Sequence, residues 1–504
     1  MKKICKPILK AEVIVLAIVI FTKIIHFFCL DFNYTADSYE YIARNGFDIF
    51  SGVIDRYRLP VYPMLLDIFS NLFGDNYLSA LCYFQLILSS VSVVLLYITM
   101  QKLTGRRFIS LSVTALYGLC NAVIGWDKAI LTESLSISFS VIIIWGIVLY
   151  LKKNSKKAII IAIIVATIGC FLRAVFAIYA GLIFGFLILR LIFPGKNLEK
   201  SAIKVQRLSD LKCSAVAVVP VVLLLVYAAG FSNQHGAFTL SDSGLGQQVA
   251  TVLTNDYHLD SQDEEIKEIA EMFLNSATNE GLTSAIDSSI DSVYKKAPLT
   301  EEAKEELAKA MYEYYAPDGI LDKTYEQEMN TYFSNLYQSD YTCNDGTSVY
   351  IARCYIMNNF SRDRIDSFVS ECMKNHFKSH ILSFVKNTNE EFKAYQTPAG
   401  NSIASLLNSL LDSTVFFLHI TLLQGMIIGF FELVIFVTVL IRKKLVDWVH
   451  LGLAAFILST GLLALMGTNA EFARTSITMI PFMFVSVGLW VKMLFSRFVD
   501  KSKG

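Results

Sequence analysis

The chain has 504 residues, of which 54% are hydrophobic and only 17% are charged. This composition is too apolar for an ordinary soluble protein, and the length allows many membrane spans plus a separate domain. The formal net charge is zero, which by itself does not identify a partner, and we do not expect nucleic acid to be one. We therefore interpret the chain as an all-α polytopic membrane protein.

Ten apolar windows are long enough to cross a hydrocarbon core, which takes about 20 helical residues. They lie at 11–30, 78–100, 108–126, 131–151, 157–172, 174–193, 213–232, 414–441, 447–466 and 475–495. The first window follows Met1-Lys2-Lys3 and has no small-residue cleavage site before Asp31, so we interpret it as a signal anchor. The sequence thus predicts about ten transmembrane helices.

Lysine and arginine clusters alternate with these windows and predict the orientation of the chain. Basic residues surround the amino terminus and follow the second, fourth, sixth, eighth and tenth windows, as in Lys152-Lys153 and Arg442-Lys443-Lys444. Because basic loops stay in the cytoplasm, both termini are predicted there. The basic clusters that flank 157–193 require the split into two spans at Arg173.

This orientation divides the chain into three parts. Residues 1–232 form an amino-terminal module of about seven spans with a first outer loop at 31–77, and residues 414–504 form a carboxy-terminal module of about three spans. Between them, 233–413 is polar, with apolar residues at helical spacing such as Ile266, Ile269 and Ala270. We predict a mainly α-helical extracytoplasmic domain for this insertion.

Sequence signatures of several other protein classes are absent. There is no CxxC or HExxH spacing for zinc and no GxxxxGK[ST] loop for ATP. Cys343, Cys354 and Cys372 fall in the extracytoplasmic part, where one disulfide could form, and the sequence leaves that question open.

The first outer loop concentrates polar chemistry at the membrane surface. It carries Asp37 and Tyr41 early and closes with Arg58-Leu59-Pro60-Val61-Tyr62-Pro63. If 37–44 is helical, Asp37, Tyr41 and Arg44 share one face. A carboxylate, a phenol and a guanidinium would then meet beside the bilayer.

These motifs resemble the integral-membrane glycosyltransferases of the GT-C class, which include protein O-mannosyltransferases and bacterial aminoarabinose transferases. The resemblance rests on Asp37-Ser38-Tyr39-Glu40-Tyr41, on the Arg58 to Pro63 turn, on Leu131-Thr132-Glu133-Ser134-Leu135 and on Glu471-Phe472-Ala473-Arg474. It does not extend to 233–413. The Glu471 stretch departs from the commoner Arg-Tyr pairing, since Ala473 precedes the arginine and Thr475 follows it.

The resemblance implies a polyprenyl-phosphate sugar donor, a groove open to the bilayer and inverting transfer on the outer face. Asp37 is expected to act as the base that takes the proton of the acceptor hydroxyl. Arg58, Arg173 and Arg474 are expected to bind the donor phosphate, because guanidinium groups match phosphate geometry. Further residues are predicted to line the substrate groove: Tyr41, Tyr62, Glu133, Glu471 and His380.

Cofactors and acceptor are less determined by the sequence. The sequence identifies no definite cofactor and leaves open a divalent cation, Mg²⁺ or Mn²⁺, with Asp37, Glu133 and Asp127 as oxygen ligands. The acceptor is a glycan, lipid or protein that the sequence does not identify. Frequent Lys, Ile, Asn and Phe with few prolines indicate a bacterial plasma-membrane protein, for which undecaprenyl phosphate is the expected carrier.

Three alternative functions remain at this stage, and one of them is a structural or receptor-like protein in which 233–413 is the working part. A transporter or flippase for a lipid-linked or anionic solute predicts paired broken helices in two related halves, and no such repeat is evident. A polysaccharide polymerase or ligase would share the arginines but would not need the early aspartate.

Overall fold

The computed structural model describes most of the chain, with gaps concentrated between 275 and 418. The described residues are 5–32, 36–42, 44–193, 200–274, 349, 352–353, 356–357, 359–392, 404–407, 409, 411, 419–467 and 472–501. Within them the chain is helical, and strand-like pairing is limited to isolated bridge residues, as between Glu391 and Thr421. The predicted all-α membrane fold is confirmed.

The amino-terminal part contains ten helices. They are α1 (Cys5–Phe28), α2 (Ala36–Ile42), α3 (Val61–Phe73), α4 (Tyr77–Thr104), α5 (Arg107–Gly118), α6 (Asn121–Ile124), α7 (Glu133–Lys153), α8 (Lys156–Cys170), α9 (Val175–Ile192) and α10 (Lys200–His235). Short 3-10 helices at Gly46–Ser51 and Gly74–Asn76 precede α3 and α4.

The rest of the described chain adds eight helices. They are α11 (Ser243–Thr254), α12 (Glu264–Leu274), α13 (Arg362–Asn375), α14 (Phe377–Asn387), α15 (Leu422–Lys443), α16 (Trp448–Gly467), α17 (Phe472–Thr475) and α18 (Ile480–Lys501). We refer to α11 to α14 as the inserted helices. In α12, Ile266 and Ala270 are fully buried, as the helical spacing of the apolar residues predicts.

Eight helical stretches among the described residues are long and apolar enough to cross a membrane. They correspond to eight of the ten predicted windows. The other two windows also form helices, but α5 has 12 residues and α8 has 15. Because α5 ends at Gly118 and α8 ends before the turn that carries Arg173, both are shorter than a full span. The count of ten spans is not confirmed.

Helix α7 lies at the centre of the bundle and packs against α4, α8 and α18. Its small residues allow close approach: a Cβ on Gly146 would lie 2.5 Å from the carbonyl oxygen of Ala158 on α8. Its buried serines bond back along the helix, with Ser136 donating to the carbonyl of Thr132 at 2.7 Å. The first residue of this central helix is Glu133, so the packing of α7 fixes the position of that carboxylate.

A buried ion pair joins α1 to the segment before α7. The Lys23 ammonium lies 2.9 Å from Asp127, and both side chains are at most 2% exposed. Lys23 also donates to Ser89 on α4 at 2.9 Å, and Asp127 accepts from Ser134 on α7 at 2.8 Å. Satisfying both charges in this way removes the cost of leaving an ion unpaired inside the bundle.

Candidate active site

Asp37 on α2 is bound by an arginine of the first loop. Its Oδ1 lies 2.5 Å from Nη2 of Arg58. Arg58 also donates to the Tyr41 hydroxyl at 3.4 Å, and its guanidinium carbon lies 4.8 Å from the centre of the Tyr41 ring. The loop therefore brings together the carboxylate, the phenol and the guanidinium expected from the sequence, with Arg58 as the arginine.

A second arginine, from the far end of the chain, completes the site. Arg474 donates from Nη2 to Oδ2 of Asp37 at 2.6 Å and from Nε to Glu133 at 2.7 Å. Arg173 lies 3.3 Å from the same Glu133 oxygen and donates to the backbone carbonyl of Arg474 at 3.2 Å. Asp37 and Arg474 thus form an ion pair although they lie 437 positions apart in the sequence.

These five side chains, Asp37, Arg58, Glu133, Arg173 and Arg474, form what we call the charge cluster. Three guanidinium groups against two carboxylates leave one surplus positive charge. The carboxylates differ in access: the side chain of Asp37 is 28% exposed and that of Glu133 is 1% exposed. Asp37 can therefore contact a ligand directly, whereas the buried Glu133 orients Arg173 and Arg474 through its ion pairs with them.

The position of Arg58 depends on the backbone before α3. Asp55 accepts hydrogen bonds from the backbone N–H groups of Tyr57 and Arg58, at 2.8 and 2.5 Å. Pro60 then precedes the first turn of α3, and the Val61 N–H donates to the Phe171 carbonyl at 3.0 Å. This irregular segment has no helix of its own, so these bonds hold it in place.

Aromatic and amide side chains connect the cluster to the bundle. The Tyr41 and Tyr62 rings lie 4.9 Å apart in an edge-to-face arrangement. The Tyr62 hydroxyl donates to Gln85 at 3.2 Å, and Gln85 donates to the carbonyl of Ala129 at 2.9 Å. Tyr62 is fully buried, so it supports the site from behind and does not line an open groove.

The two arginines set the protonation state of Asp37. Burial raises the pKa of its carboxyl, but the charges and hydrogen bonds of Arg58 and Arg474 outweigh burial and hold that pKa well below the ordinary value. Asp37 is therefore an ionised carboxylate at neutral pH.

A cavity opens beside Arg58, between the first loop and α10. Its walls combine polar groups such as Asn45 and Asp48 with apolar ones such as Val53, Pro63 and Tyr227. This mixture offers both hydrogen-bonding atoms and flat apolar surface next to the charge cluster.

The three carboxylates considered for a metal do not form a ligand set. Arg474 lies between Asp37 and Glu133 and binds both, while Asp127 pairs with Lys23. In the part of the chain that the structure describes, no three His, Cys, Asp or Glu side chains come together as candidate ligands. The donor set around Asp37 therefore does not fit a divalent cation, and we derive no step through one.

Several predicted residues lie elsewhere. Helix α2 ends at Ile42, so Arg44 does not share its face with Asp37 and Tyr41; it pairs with Asp55 at 2.7 Å instead. His380 is buried and its Nε2 contacts the Leu465 carbonyl at 2.8 Å. Glu471, Cys343 and Cys354 lie outside the described residues, and Cys372 is buried on α13.

Sequence reasoning missed the residues that hold the site from behind. Gln85 carries no signal of its own, because its backbone partners, the carbonyls of Asp127 and Ala129, lie 42 and 44 positions away. Asp55 binds the nearby N–H groups of Tyr57 and Arg58 and the side chain of Arg44, a combination that the sequence does not reveal. Lys23 did carry one: an ionisable residue within the first apolar window needs a partner, and that partner is Asp127.

Comparison with known proteins supports the resemblance over part of the chain. Residues 58–230 match the model of a family described as dolichyl-phosphate-mannose-protein mannosyltransferase, which confirms the resemblance to the GT-C class. The match begins at Arg58 and includes Glu133 and Arg173, whereas Asp37 and Arg474 lie outside it. A comparison with curated proteins finds no significant match.

Two solved structures from Archaeoglobus fulgidus are similar to the chain. One is the archaeal oligosaccharyltransferase AglB in complex with an inhibitory peptide and a dolichol-phosphate, with 12% identity, a TM-score of 0.44, and coverage of 97% of this chain and 52% of that one. The other is an oligosaccharyltransferase tethered with an acceptor peptide containing the NVT sequon, with 11% identity, a TM-score of 0.42, and coverage of 95% and 49%. The chain thus spans about half the length of these structures.

Proposed function

We propose that this chain is a multi-pass membrane glycosyltransferase that moves a sugar from a polyprenyl-phosphate donor to an acceptor on the extracytoplasmic face. The observation that carries the proposal is the partly exposed Asp37 held between Arg58 and Arg474. The family match over residues 58–230 supports the same reaction class. A bacterial plasma membrane, with undecaprenyl phosphate as carrier, is the setting expected from composition.

The reaction needs one carboxylate and positive charge. The acceptor hydroxyl attacks the anomeric carbon opposite the phosphate, so the new carbon–oxygen bond forms as the bond to the phosphate oxygen breaks, with inversion. The hydroxyl proton passes to Asp37. The bonding electrons leave with the lipid phosphate, which needs no acid to protonate it, unlike the leaving group of a glycosidase.

The surplus charge of the cluster suits the donor. A polyprenyl-phosphate sugar is a phosphodiester with one negative charge, and the charge cluster has one positive charge in excess. As the glycosidic bond breaks, negative charge grows on the departing phosphate. Guanidinium groups already fixed by Glu133 would stabilise that charge without reorganising.

Donor binding would also change Asp37 itself. In the described state its pKa is held down by Arg58 and Arg474, which makes it a weak base. A phosphate that draws the same guanidinium groups toward itself weakens their hold on Asp37, and its affinity for a proton rises. The base would thus become effective once the donor is in place.

The groups that line the cavity beside Arg58 suit contact with one edge of a sugar. A hexose or pentose ring presents hydroxyl groups and apolar C–H faces, and the cavity provides Asn45 and Asp48 for the former and Pro63 and Tyr227 for the latter. Its contact with Arg58 puts such a ring next to the phosphate-binding groups.

The test is binding of a short-chain polyprenyl phosphate to the detergent-purified protein by native mass spectrometry. We expect saturable one-to-one binding by the wild type. Arg58→Gln and Arg474→Gln should each weaken it roughly 10- to 100-fold, since hydrogen bonds to charged groups contribute about 1.5–3 kcal/mol. Asp37→Asn should retain binding and lose transfer by about 10²- to 10⁴-fold once a donor sugar is found by screening.

Arg364→Gln is the matched control, because Arg364 is bound by Asp263 among the inserted helices, at 2.6 Å, and has no contact with the charge cluster. It should bind the lipid like the wild type. No binding by the wild type, or binding that ignores both cluster arginines, would refute the donor site and favour a transporter of lipid-linked solutes.

A further inference from the structure

The backbone that carries Arg58 is held by the end of α10 and by the residues that follow it. Residues 52–58 have no regular secondary structure. The end of α10 contacts their first part: Gln234 accepts from the Ile54 N–H at 2.9 Å and donates to the Gly52 carbonyl at 2.6 Å. His235 contacts the Ile54 carbonyl at 2.7 Å. Residues 52–58 are thus hydrogen-bonded to the end of α10 as well as to one another.

Asp242 holds the second part of this segment and is the charged member of the set. Its side chain is 0% exposed, and its Oδ2 lies 2.7 Å from Nε of Arg56. Its backbone N–H donates to the Arg56 carbonyl at 2.7 Å. The next residue, Ser243, donates from its hydroxyl to the Tyr57 carbonyl. The side chain and the backbone of Asp242 therefore both fix the position of Arg56, two residues before Arg58.

The other oxygen of Asp242 faces an inserted helix. Oδ1 forms an ion pair with Arg362, the first residue of α13. Because Asp242 is fully buried, removal of either arginine would leave part of its charge uncompensated and without water. Asp242 therefore joins three elements: the segment before Arg58, the start of α11 and the start of α13.

We propose that Asp242 is a positioning residue for phosphate binding, acting on Arg58 through Arg56. This inference rests on the proposed function, in which Arg58 holds the donor phosphate. Asp242 fixes the backbone path from Arg56 to Arg58 and thereby the direction from which Arg58 reaches Asp37. Through Arg362 the same contact ties the phosphate-binding side of the site to the inserted helices.

The experiment combines two measurements on the full-length protein in detergent. Hydrogen exchange of peptides that cover 52–58 reports whether the segment is held, and it needs no ligand. Native mass spectrometry with a short-chain polyprenyl phosphate reports whether Arg58 is presented correctly. For Asp242→Asn we expect about tenfold faster exchange confined to 52–58 and the first turns of α11 and α13, and about tenfold weaker lipid binding.

Asp263→Asn is the matched control. It removes another arginine-bound aspartate of the inserted part, with both Asp263 oxygens 2.6 Å from Arg364 nitrogens, but it has no contact with 52–58. Exchange in 52–58 and lipid binding should remain as in the wild type.

Arg56→Lys keeps the test decisive if Asp242→Asn does not fold. The Arg56 side chain is 28% exposed, and the substitution keeps the positive charge while losing the guanidinium geometry. It should reproduce the faster exchange and the weaker binding. The proposal would be overturned if both variants left exchange in 52–58 unchanged. It would also be overturned if both showed faster exchange but bound the lipid as the wild type does. Failure of the wild type to bind the lipid would instead refute the proposed function, and the exchange measurement would still decide whether Asp242 holds the segment.

Discussion

Asp37 combines two properties that rarely occur together, partial exposure and firm pairing with two cations. Its low pKa means that the ionised form of Asp37 is more stable, relative to the protonated form, in the folded protein than in the unfolded chain. A group of this kind contributes stability above its unfolded pKa of about 3.9, and the contribution disappears as pH falls through the lower folded pKa. The pairing can therefore be tested by pH.

The prediction compares melting temperatures of the wild type and Asp37→Asn across pH. The advantage of the wild type should stay constant from about pH 8 to 5 and shrink only below about pH 4. When both proteins also carry Arg474→Gln, the folded pKa of Asp37 moves back toward its unfolded value, so the advantage at neutral pH should be smaller and should vary less with pH. An advantage already lost between pH 7 and 5 in the wild-type background would contradict the ion pairing. Asp75→Asn, an exposed aspartate at the end of the same loop, should show no such dependence.

Individual residues of the cluster were partly accessible to sequence reasoning. Asp37, Arg58, Glu133, Arg173 and Arg474 all come from motifs that suggested an outer-face site, and the structure brings them together. The contact of Arg44 with Asp55 was not accessible, because it depends on where α2 ends. Asp242 was missed for a similar reason: nothing local indicates that an aspartate after α10 faces Arg56, 186 positions earlier.

Among the elements, the 3-10 helix Gly46–Ser51 and α3 form the tightest contact in the first loop. The Gly46 N–H donates to Asp67 on α3 at 2.8 Å. A Cβ on Gly46 would lie 2.1 Å from the backbone nitrogen of Met64, a distance that backbone atoms cannot accommodate without moving apart. The absence of a side chain at this position is what allows the loop to lie on α3.

Gly46→Ala should therefore separate the two elements. We expect a loss of about 1–3 kcal/mol of stability, typical of overpacking, visible as a lower melting temperature, together with weaker polyprenyl-phosphate binding because α3 follows directly on the Arg58 segment. Gly244→Ala on α11 is the control: no atom lies within 4 Å of its added Cβ, and alanine favours helix. Equal melting temperatures for both variants would show that the loop does not depend on this contact.

Element positions were largely predictable, and their lengths were not. Long apolar runs identify helices such as α4, α7 and α9 directly. The ends of α5 and α8 are set by the turns that follow Gly118 and Cys170. Hydropathy does not detect these turns, because the residues in them are also apolar. Helix α10 is longer than its apolar window, since it continues from Lys200 through a charged stretch to His235.

At the scale of the whole molecule, the distribution of charges predicts which ends of the helices face the cytoplasm. The charge cluster and the inserted helices are then extracytoplasmic, and the turn between α7 and α8 is cytoplasmic. In a cysteine-free background, Asp75→Cys should react with a membrane-impermeant maleimide in intact cells. Asn154→Cys should react only after permeabilisation. The reverse pattern would place the proposed active site on the cytoplasmic side and exclude an extracytoplasmic acceptor.

The Lys23–Asp127 pair has a consequence for how the protein is made. Lys23 reaches the membrane with α1, while Asp127 lies about 100 residues later in the chain. At a synthesis rate of roughly 5–20 residues per second, the lysine waits about 5–20 s for its partner. A lysine at a helix centre costs up to about 2.5–3.5 kcal/mol during that interval. Helix α1 therefore inserts before its lysine is paired, and its position in the bundle becomes fixed only when the segment before α7 is synthesised and Asp127 can bind Lys23.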